Sequence, residues 1–440
     1  MTRWLLERAW VDGSVRDDVL VEVDGGHFTT VQRGADDQAA ERVPGLTIPG
    51  LANCHSHAFH RALRGRTQRG RGTFWTWREQ MYAVSGRLDP DRYHALARAT
   101  YREMAAAGIT SVGEFHYLHH QPDGTPYTEP NVMADALVSA ARDAGIRIAL
   151  LDTCYLSAGF GAPVTGAQGR FSDGSFDRFA ERTMQLRHFG AHEGVVLGTA
   201  IHSVRAVPRE HLAAVAALRP DAPLHVHLSE QVAENEQCRE VYGVTPTRLL
   251  ADEGVLGPRT SAVHATHLTE EDVRLLGESG TAACFCPTTE RDLADGIGPS
   301  RQLAAAGAPL TLGSDSHAII DLFEEMRAVE LDERLATQQR GHWAAAELLA
   351  AATAAGHASL GFPDAGRIAV GARADLVTID TGTPRTAGTG ADEQTSVFAA
   401  TAEDVTRVVV DGRVVVRQGE REDIGRELAA AIEPLWEAPR

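Results

Sequence analysis

Short apolar, β-branched runs recur along the middle of the chain, separated by longer stretches rich in Ala, Leu, Arg and Glu. Eight runs read as strands: LTIPGLANC, ITSVGEF, IRIALLDT, VVLGTAI, PLHVHLS, TSAVHAT, TAACFC and PLTLGSD. The segments between them, such as PDRYHALARATYREMAAAG and NVMADALVSAARDAG, carry helical periodicity and end at glycine, a favoured residue just past a helix C-terminus. Strands alternating with helices over residues 47–360 predict an α/β fold, a (β/α)8 TIM-like barrel. A doubly wound open sheet is the structural rival, but no glycine-rich phosphate loop follows the first strand.

The two ends are patterned differently. LLERAWVDGSVRDDVLVEVDGGHFTTVQRG alternates and turns at glycine, as do GRIAVGARADLVTID and VTRVVVDGRVVVRQGE. Residues 1–46 and 361–425 are therefore expected to form one small β-sandwich domain beside the barrel of residues 47–360. TGTPRTAGTGADEQ reads as a loop.

The chain length, 440 residues, suits one large domain with an appendage. A formal net charge of −18 argues against a nucleic-acid partner, which needs a basic face. It leaves room for a small anionic substrate, because a local arginine cluster can outweigh the global field. The opening MTRWLLERAWVDGS is broken by charges, and no window approaches the roughly 18 apolar residues of a membrane helix. The five cysteines are odd in number and scattered, and read as small buried thiols. A cytoplasmic protein with no membrane partner is expected. The chain also has no lysine, which excludes Schiff-base chemistry, a P-loop and a metal pair bridged by carboxylated lysine.

The chemistry-bearing residues fall at strand ends. PGLANCHSHAFHRA crowds His55, His57 and His60 behind the first run, and a metal site, a satisfied core cluster and a solvated patch compete to explain them. The second run leads into Glu114, His116 and Tyr117, the fourth into His202 and Arg205, and the fifth into His225, His227 and Glu230. His264 and His267 follow the sixth, and Asp315 the eighth. So many ionisable groups at one barrel mouth need a cation or substrate to offset their desolvation, which favours the metal site. His55, His57, His227 and Asp315 would make a zinc-type centre with an open position for water. Asp315 could accept a proton from that water, and Glu230 could protonate a nitrogen leaving group. Trp75 and Trp77 read mainly as core, His267 and His317 as supporting or structural, and Cys284 and Cys286 as packing.

HSHAFHRA, HVHLSE, VHATH and GSDSH resemble the amidohydrolase superfamily in its mononuclear, deaminase-like branch. FWTWREQMY, EFHYLHH, HSVRAV and CPTTERDLADGI are similar to the formimidoylglutamate deiminase family of histidine degradation, over nearly the whole chain. The resemblance implies His55, His57, His227 and Asp315 as ligands of one divalent metal ion per subunit, Zn2+ first and Fe2+ second. It implies His264 as the residue orienting the nucleophile and Glu230 as proton shuttle, with Arg78, Tyr117, His202 and Arg205 contacting substrate. Hydrolysis of N-formimino-L-glutamate to N-formyl-L-glutamate and ammonia, by a homodimer, is the implied activity. Two departures stand out. His60 occupies a position where that family commonly has a substrate-side glutamine, and TTERDLADG replaces the more usual STEANLGDG, which leaves open what Thr288 or Thr289 does in the pocket. A ring deaminase on the same scaffold and a non-catalytic metal-binding scaffold are the rival readings.

Overall fold

The computed structural model describes residues 2–69, 72, 74–417 and 421–437. Four strands open the chain: β1 (Thr2–Val11), β2 (Ser14–Asp24), β3 (His27–Gln32) and β4 (Glu41–Pro49). Eight parallel strands follow: β5 (Leu51–Ser56), β6 (Ile109–His116), β7 (Arg147–Cys154), β8 (Val195–Ile201), β9 (Leu224–Leu228), β10 (Thr260–His264), β11 (Ala282–Phe285) and β12 (Leu310–Leu312). They pair in chain order, and β12 returns beside β5 through a parallel bridge between Ser56 and Asp315. This is the expected (β/α)8 barrel. Every residue of β5, β6 and β7 is buried, because barrel strands are covered on both faces. That is why they read as continuous apolar runs instead of alternating.

The connecting helices obey local signals. Helix Pro90–Ala106 starts at Asp89, whose carboxylate accepts from the Arg92 amide at 2.8 Å, with Pro90 in the first turn. Helix Val132–Ala144 ends at Gly145, whose φ of 79° suits a residue without a Cβ.

β13 (Leu376–Ile379), β14 (Val405–Val410) and β15 (Arg413–Arg417) join β1–β4 in a separate seven-stranded mixed sheet, ordered β15-β14-β13-β4-β1-β2-β3. Its own core includes Trp4, Leu6, Val21, Phe28, Leu376 and Val409. The run LTIPGLANC divides at Gly50: Leu46–Pro49 pair with β13, whereas Leu51 onward pairs with β6. A Cβ on Gly50 would sit 2.4 Å from Thr110 Oγ1, so only glycine lets the chain cross there. GRIAVGARADLVTID is a strand only over Leu376–Ile379, and residues 418–420 of VTRVVVDGRVVVRQGE lie outside the described residues.

The sheet is tied to the barrel by Arg147 at the start of β7. Its guanidinium is buried and bonds Asp375, Asp411 (2.9 Å) and Ser111 (3.1 Å). Asp375 opens onto β13 and Asp411 lies in the β14–β15 turn, so one side chain fixes both halves of the junction. Breaking a buried pair leaves uncompensated charge, at a cost of about 3–5 kcal/mol. Arg147→Met should therefore lower the midpoint of thermal unfolding, whereas the exposed Arg274→Met should leave it nearly unchanged; equal midpoints for both would refute this role.

Candidate metal centre

The barrel closes at the same seam that builds the site. The amides of Ser314 and Asp315 donate to His55 O at 3.2 and 2.9 Å, and the His57 amide donates to Asp315 O at 3.3 Å. Gly313 permits this approach, since a Cβ there would lie 2.7 Å from the His55 Cβ and 2.9 Å from Cys286 Sγ. At the strand ends and just beyond them, Ser229, His264, Ala265 and Asp315 all adopt positive φ. Each such non-glycine residue stores on the order of 1–3 kcal/mol, held in place by its surroundings.

Around this seam the side chains converge. His55 Nε2 and His57 Nε2 each lie 3.3 Å from Asp315 Oδ1, and His227 Nε2 lies 3.0 Å from His55 Nε2. Two rings have their tautomers set from behind: His57 Nδ1 donates to Phe115 O at 3.0 Å, and His227 Nδ1 donates to His202 O at 2.8 Å. Their Nε2 lone pairs therefore point inward, towards each other and a carboxylate. Burial holds His55 down to about 4 and His227 well below its ordinary range, so both are neutral near pH 7. Burial opposes ionisation of Asp315, but the imidazoles packed around it, His264 among them, keep it well below the usual carboxylate range.

Inward lone pairs beside a carboxylate lack a positive partner, and a divalent cation supplies one. A tetrahedral centre with bonds of about 2.0–2.1 Å spaces its ligand atoms about 3.3 Å apart, which matches the separations here. The residues fit a divalent metal.

His264 stands differently. Its Nε2 lies 3.8 Å from Asp315 Oδ2, the oxygen turned away from the other rings, and 4.0 Å from Glu230 Oε1. Burial works against its charge, but Glu230, Glu290 and Asp315 outweigh it and raise its pKa well above the usual histidine value. A ring that meets carboxylates from both nitrogens is placed to donate hydrogen bonds.

His57, His60, Arg78, Tyr117, His202, Arg205, His227, Glu230, His264 and Asp315 all line one cleft, while His55 lies fully buried behind it. His60 Nε2 bonds the Tyr117 hydroxyl at 2.9 Å, which places it on the cleft wall beside His57. Arg205 leans on Glu234 at 3.9 Å, a buried carboxyl that burial pushes up to about 7. Arg78 lies over Tyr82 at 5.6 Å. Trp77 both packs on the core and faces His60 edge-on, whereas the Trp75 side chain lies outside the described residues.

Other candidates turn elsewhere. Glu114 binds Ser56 Oγ (2.6 Å) and the Ala58 amide (2.7 Å), bracing the loop that carries His57. His116 clusters with His119 and Asp152, but that carboxylate is already held by Arg182 (2.9 Å) and Thr183. His225 lies fully buried two residues before His227, and His267 is outside the cleft lining. His317 bonds Ser314 and Ser56, and Cys284 and Cys286 pack in the barrel core. Thr288 binds Glu325, and Thr289 binds Ser316 and Ser314 O, so neither faces the cleft. Sequence reasoning missed Tyr155 and Phe171 on the cleft wall and Glu290 behind His264. The glutamate in CPTTER was the one available signal.

A closed parallel barrel with a His/Asp cluster at the C-terminal mouth defines a metal-dependent hydrolase architecture. The chain belongs to the amidohydrolase family, whose model matches residues 46–415. It is 36% identical to the formimidoylglutamate deiminase of Pseudomonas aeruginosa, over 99% of this chain and 98% of the relative. It is 30% identical to a 5-methylthioadenosine/S-adenosylhomocysteine deaminase of Halobacterium salinarum, over 93% and 90%. A crystal structure of an amidohydrolase from Brucella melitensis superposes with a TM-score of 0.91 at 34% identity, over 99% of this chain and 100% of the other. The protein is an amidohydrolase-type deaminase, a hydrolase of carbon–nitrogen bonds.

Removing a ligand should remove the ion. Asp315→Ala and His227→Ala are expected to lose bound metal, and the rise in melting temperature that added zinc gives the chelated wild type. His264→Ala should keep both. His264 also lies within reach of His55, His227 and Asp315, so loss of metal from His264→Ala would make it a ligand and overturn its assignment as a hydrogen-bond donor.

Proposed function

We propose that the protein hydrolyses N-formimino-L-glutamate to N-formyl-L-glutamate and ammonia. The observation that carries this reading is the pair of guanidinium groups, Arg78 and Arg205, in the same cleft as the donor cluster. A substrate with two carboxylates suits two planar, bidentate partners. The Pseudomonas aeruginosa relative named for this reaction spans nearly the full length of both chains, which supports the same substrate.

His55, His57, His227 and Asp315 would hold the ion, zinc first and iron(II) second, and its chemistry is to lower the pKa of a water towards about 7. Asp315 accepts a proton from the attacking water at Oδ2, the oxygen nearer His264. His264 Nε2 orients the attacking oxygen, and Glu230, 4.0 Å away, delivers a proton to the departing nitrogen. One water adds across the C=N bond and one ammonia leaves, so atoms balance without a redox partner. Tyr117, His202 and His60 border the formimino end, and Arg78 and Arg205 take the carboxylates. The same reading carries a cytoplasmic homodimer and the division into 1–46 with 361–425 and 47–360. Among the described residues no helix is long and apolar enough to cross a membrane.

A ring deaminase is the second reading, favoured by the aromatic wall of Tyr82, Tyr155 and Phe171 and by the 30% identical relative. Arg205→Met and Arg78→Met separate the two. Each should raise KM for N-formimino-L-glutamate about tenfold or more while leaving any turnover of neutral ring amines unchanged; equal effects on both substrate types would favour the ring. Glu230→Gln should lower kcat about 10²–10⁴-fold with metal content and circular dichroism unchanged. A near-normal rate would remove Glu230 from the chemistry.

A further inference from the structure

Behind His264, on the side away from the cleft, lies a carboxyl that the reaction outlined above does not use. Glu290 sits in the short helix Pro287–Leu293 that follows β11, and it is 5% exposed. One of its oxygens, Oε1, receives two donors: the Cys286 amide at 2.9 Å and His264 Nδ1 at 3.4 Å. The Cys286 bond is made within the same turn, and the turn is closed by the Thr289 and Glu290 amides on Cys286 O at 2.9 and 3.0 Å. The position of Oε1 is thus fixed by backbone, independently of the histidine.

His264 needs such an anchor because its own backbone does not supply one. It leaves β10 at φ 70°, followed by Ala265 at φ 48°, a conformation unusual for residues with a Cβ. The Ala265 amide donates to Leu228 O and the His267 amide to Ser229 O, both at 3.0 Å, which pins the main chain to the end of β9. These bonds hold the Cα but do not by themselves set the ring. The ring is buried and stacks on His227 at 5.6 Å between centroids, which fixes its plane, and the contact at Nδ1 is the hydrogen bond that fixes which nitrogen faces Glu230 and Asp315. An imidazole donating through Nδ1 to a fixed acceptor also has its proton placement decided at that atom.

We propose that Glu290 is a positioning residue for the hydrolytic step: by accepting from His264 Nδ1 through an oxygen fixed on the Cys286 amide, it aims His264 Nε2 at the attacking water. This rests on the reading of the site as a hydrolytic deaminase. The acceptor atom is what matters, so glutamine should replace glutamate. The Cys286 amide demands an oxygen, which orients the carboxamide with its Oε1 towards both donors.

The test compares Glu290→Gln, Glu290→Leu and wild type by steady-state kinetics, metal content and crystal structures. Glu290→Leu should lower kcat about 10²-fold or more with KM changed less than threefold and metal content intact, and its His264 ring should be turned or spread over rotamers. Glu290→Gln should keep the ring in place and recover kcat to within about tenfold of wild type. A Glu290→Leu enzyme with near-normal kcat, or one whose kcat falls while His264 stays unmoved, would overturn the proposal. So would a Glu290→Gln enzyme as impaired as Glu290→Leu. If Glu290→Leu and Glu290→Ala both fail to fold, the residue is structural and the proposal also fails. Should the wild type release no ammonia from any imine or amine, the reading of the reaction fails instead, and the His264 ring positions in the variants still decide the role of Glu290.

Discussion

The structure depends on a set of acceptors that cannot satisfy one another. His57 and His227 have committed their Nδ1 protons to backbone carbonyls, so their remaining lone pairs face a buried carboxylate and a third imidazole. Among buried side chains that convergence is costly unless a cation sits among them. The tautomers are set by Phe115 O and His202 O, which are main-chain atoms of β6 and of the segment after β8. The barrel's backbone, not only its side chains, therefore prepares the donor set.

Closure of the barrel and assembly of the site are one event. The return of β12 beside β5 is made by amides of Ser314 and Asp315 on His55 O, so the strand that completes the cylinder also delivers the carboxylate to the histidines. Stability is anchored at the other end, where Arg147 at the start of β7 grips Asp375 and Asp411 of the separate sheet. Chemistry at the strand C-termini and anchorage at their N-termini let the loops of the cleft vary without loosening the frame.

Much of this was legible in the sequence because barrel strands, buried on both faces, print as uninterrupted apolar runs with their polar residues just behind them. His55, His57, His227, His264 and Asp315 could be read from that placement alone, and they meet at one mouth. The division at Gly50 was not legible, since the apolar pattern runs straight across it while the pairing partner changes from β13 to β6. Nor was the fate of His116, which follows a strand like the others yet turns into a cluster closed by Arg182. Glu290 and Glu234 escaped notice because they lie on helices and reach the site only through the return path of the chain, which periodicity does not encode. The substrate class rests on the resemblance carried by the arginine-bearing motifs, since the apolar pattern does not encode it.

This centre, loaded with a divalent ion, is proposed to deiminate a dicarboxylate. Ammonia release from N-formimino-L-glutamate by metal-loaded protein, with the chelated form as control and a neutral ring amine in parallel, tests it most directly. Rapid release from the acidic imine, abolished by chelation and restored by added metal, is the expected result. Release only from the ring amine, or none from a sample with verified metal, would contradict it.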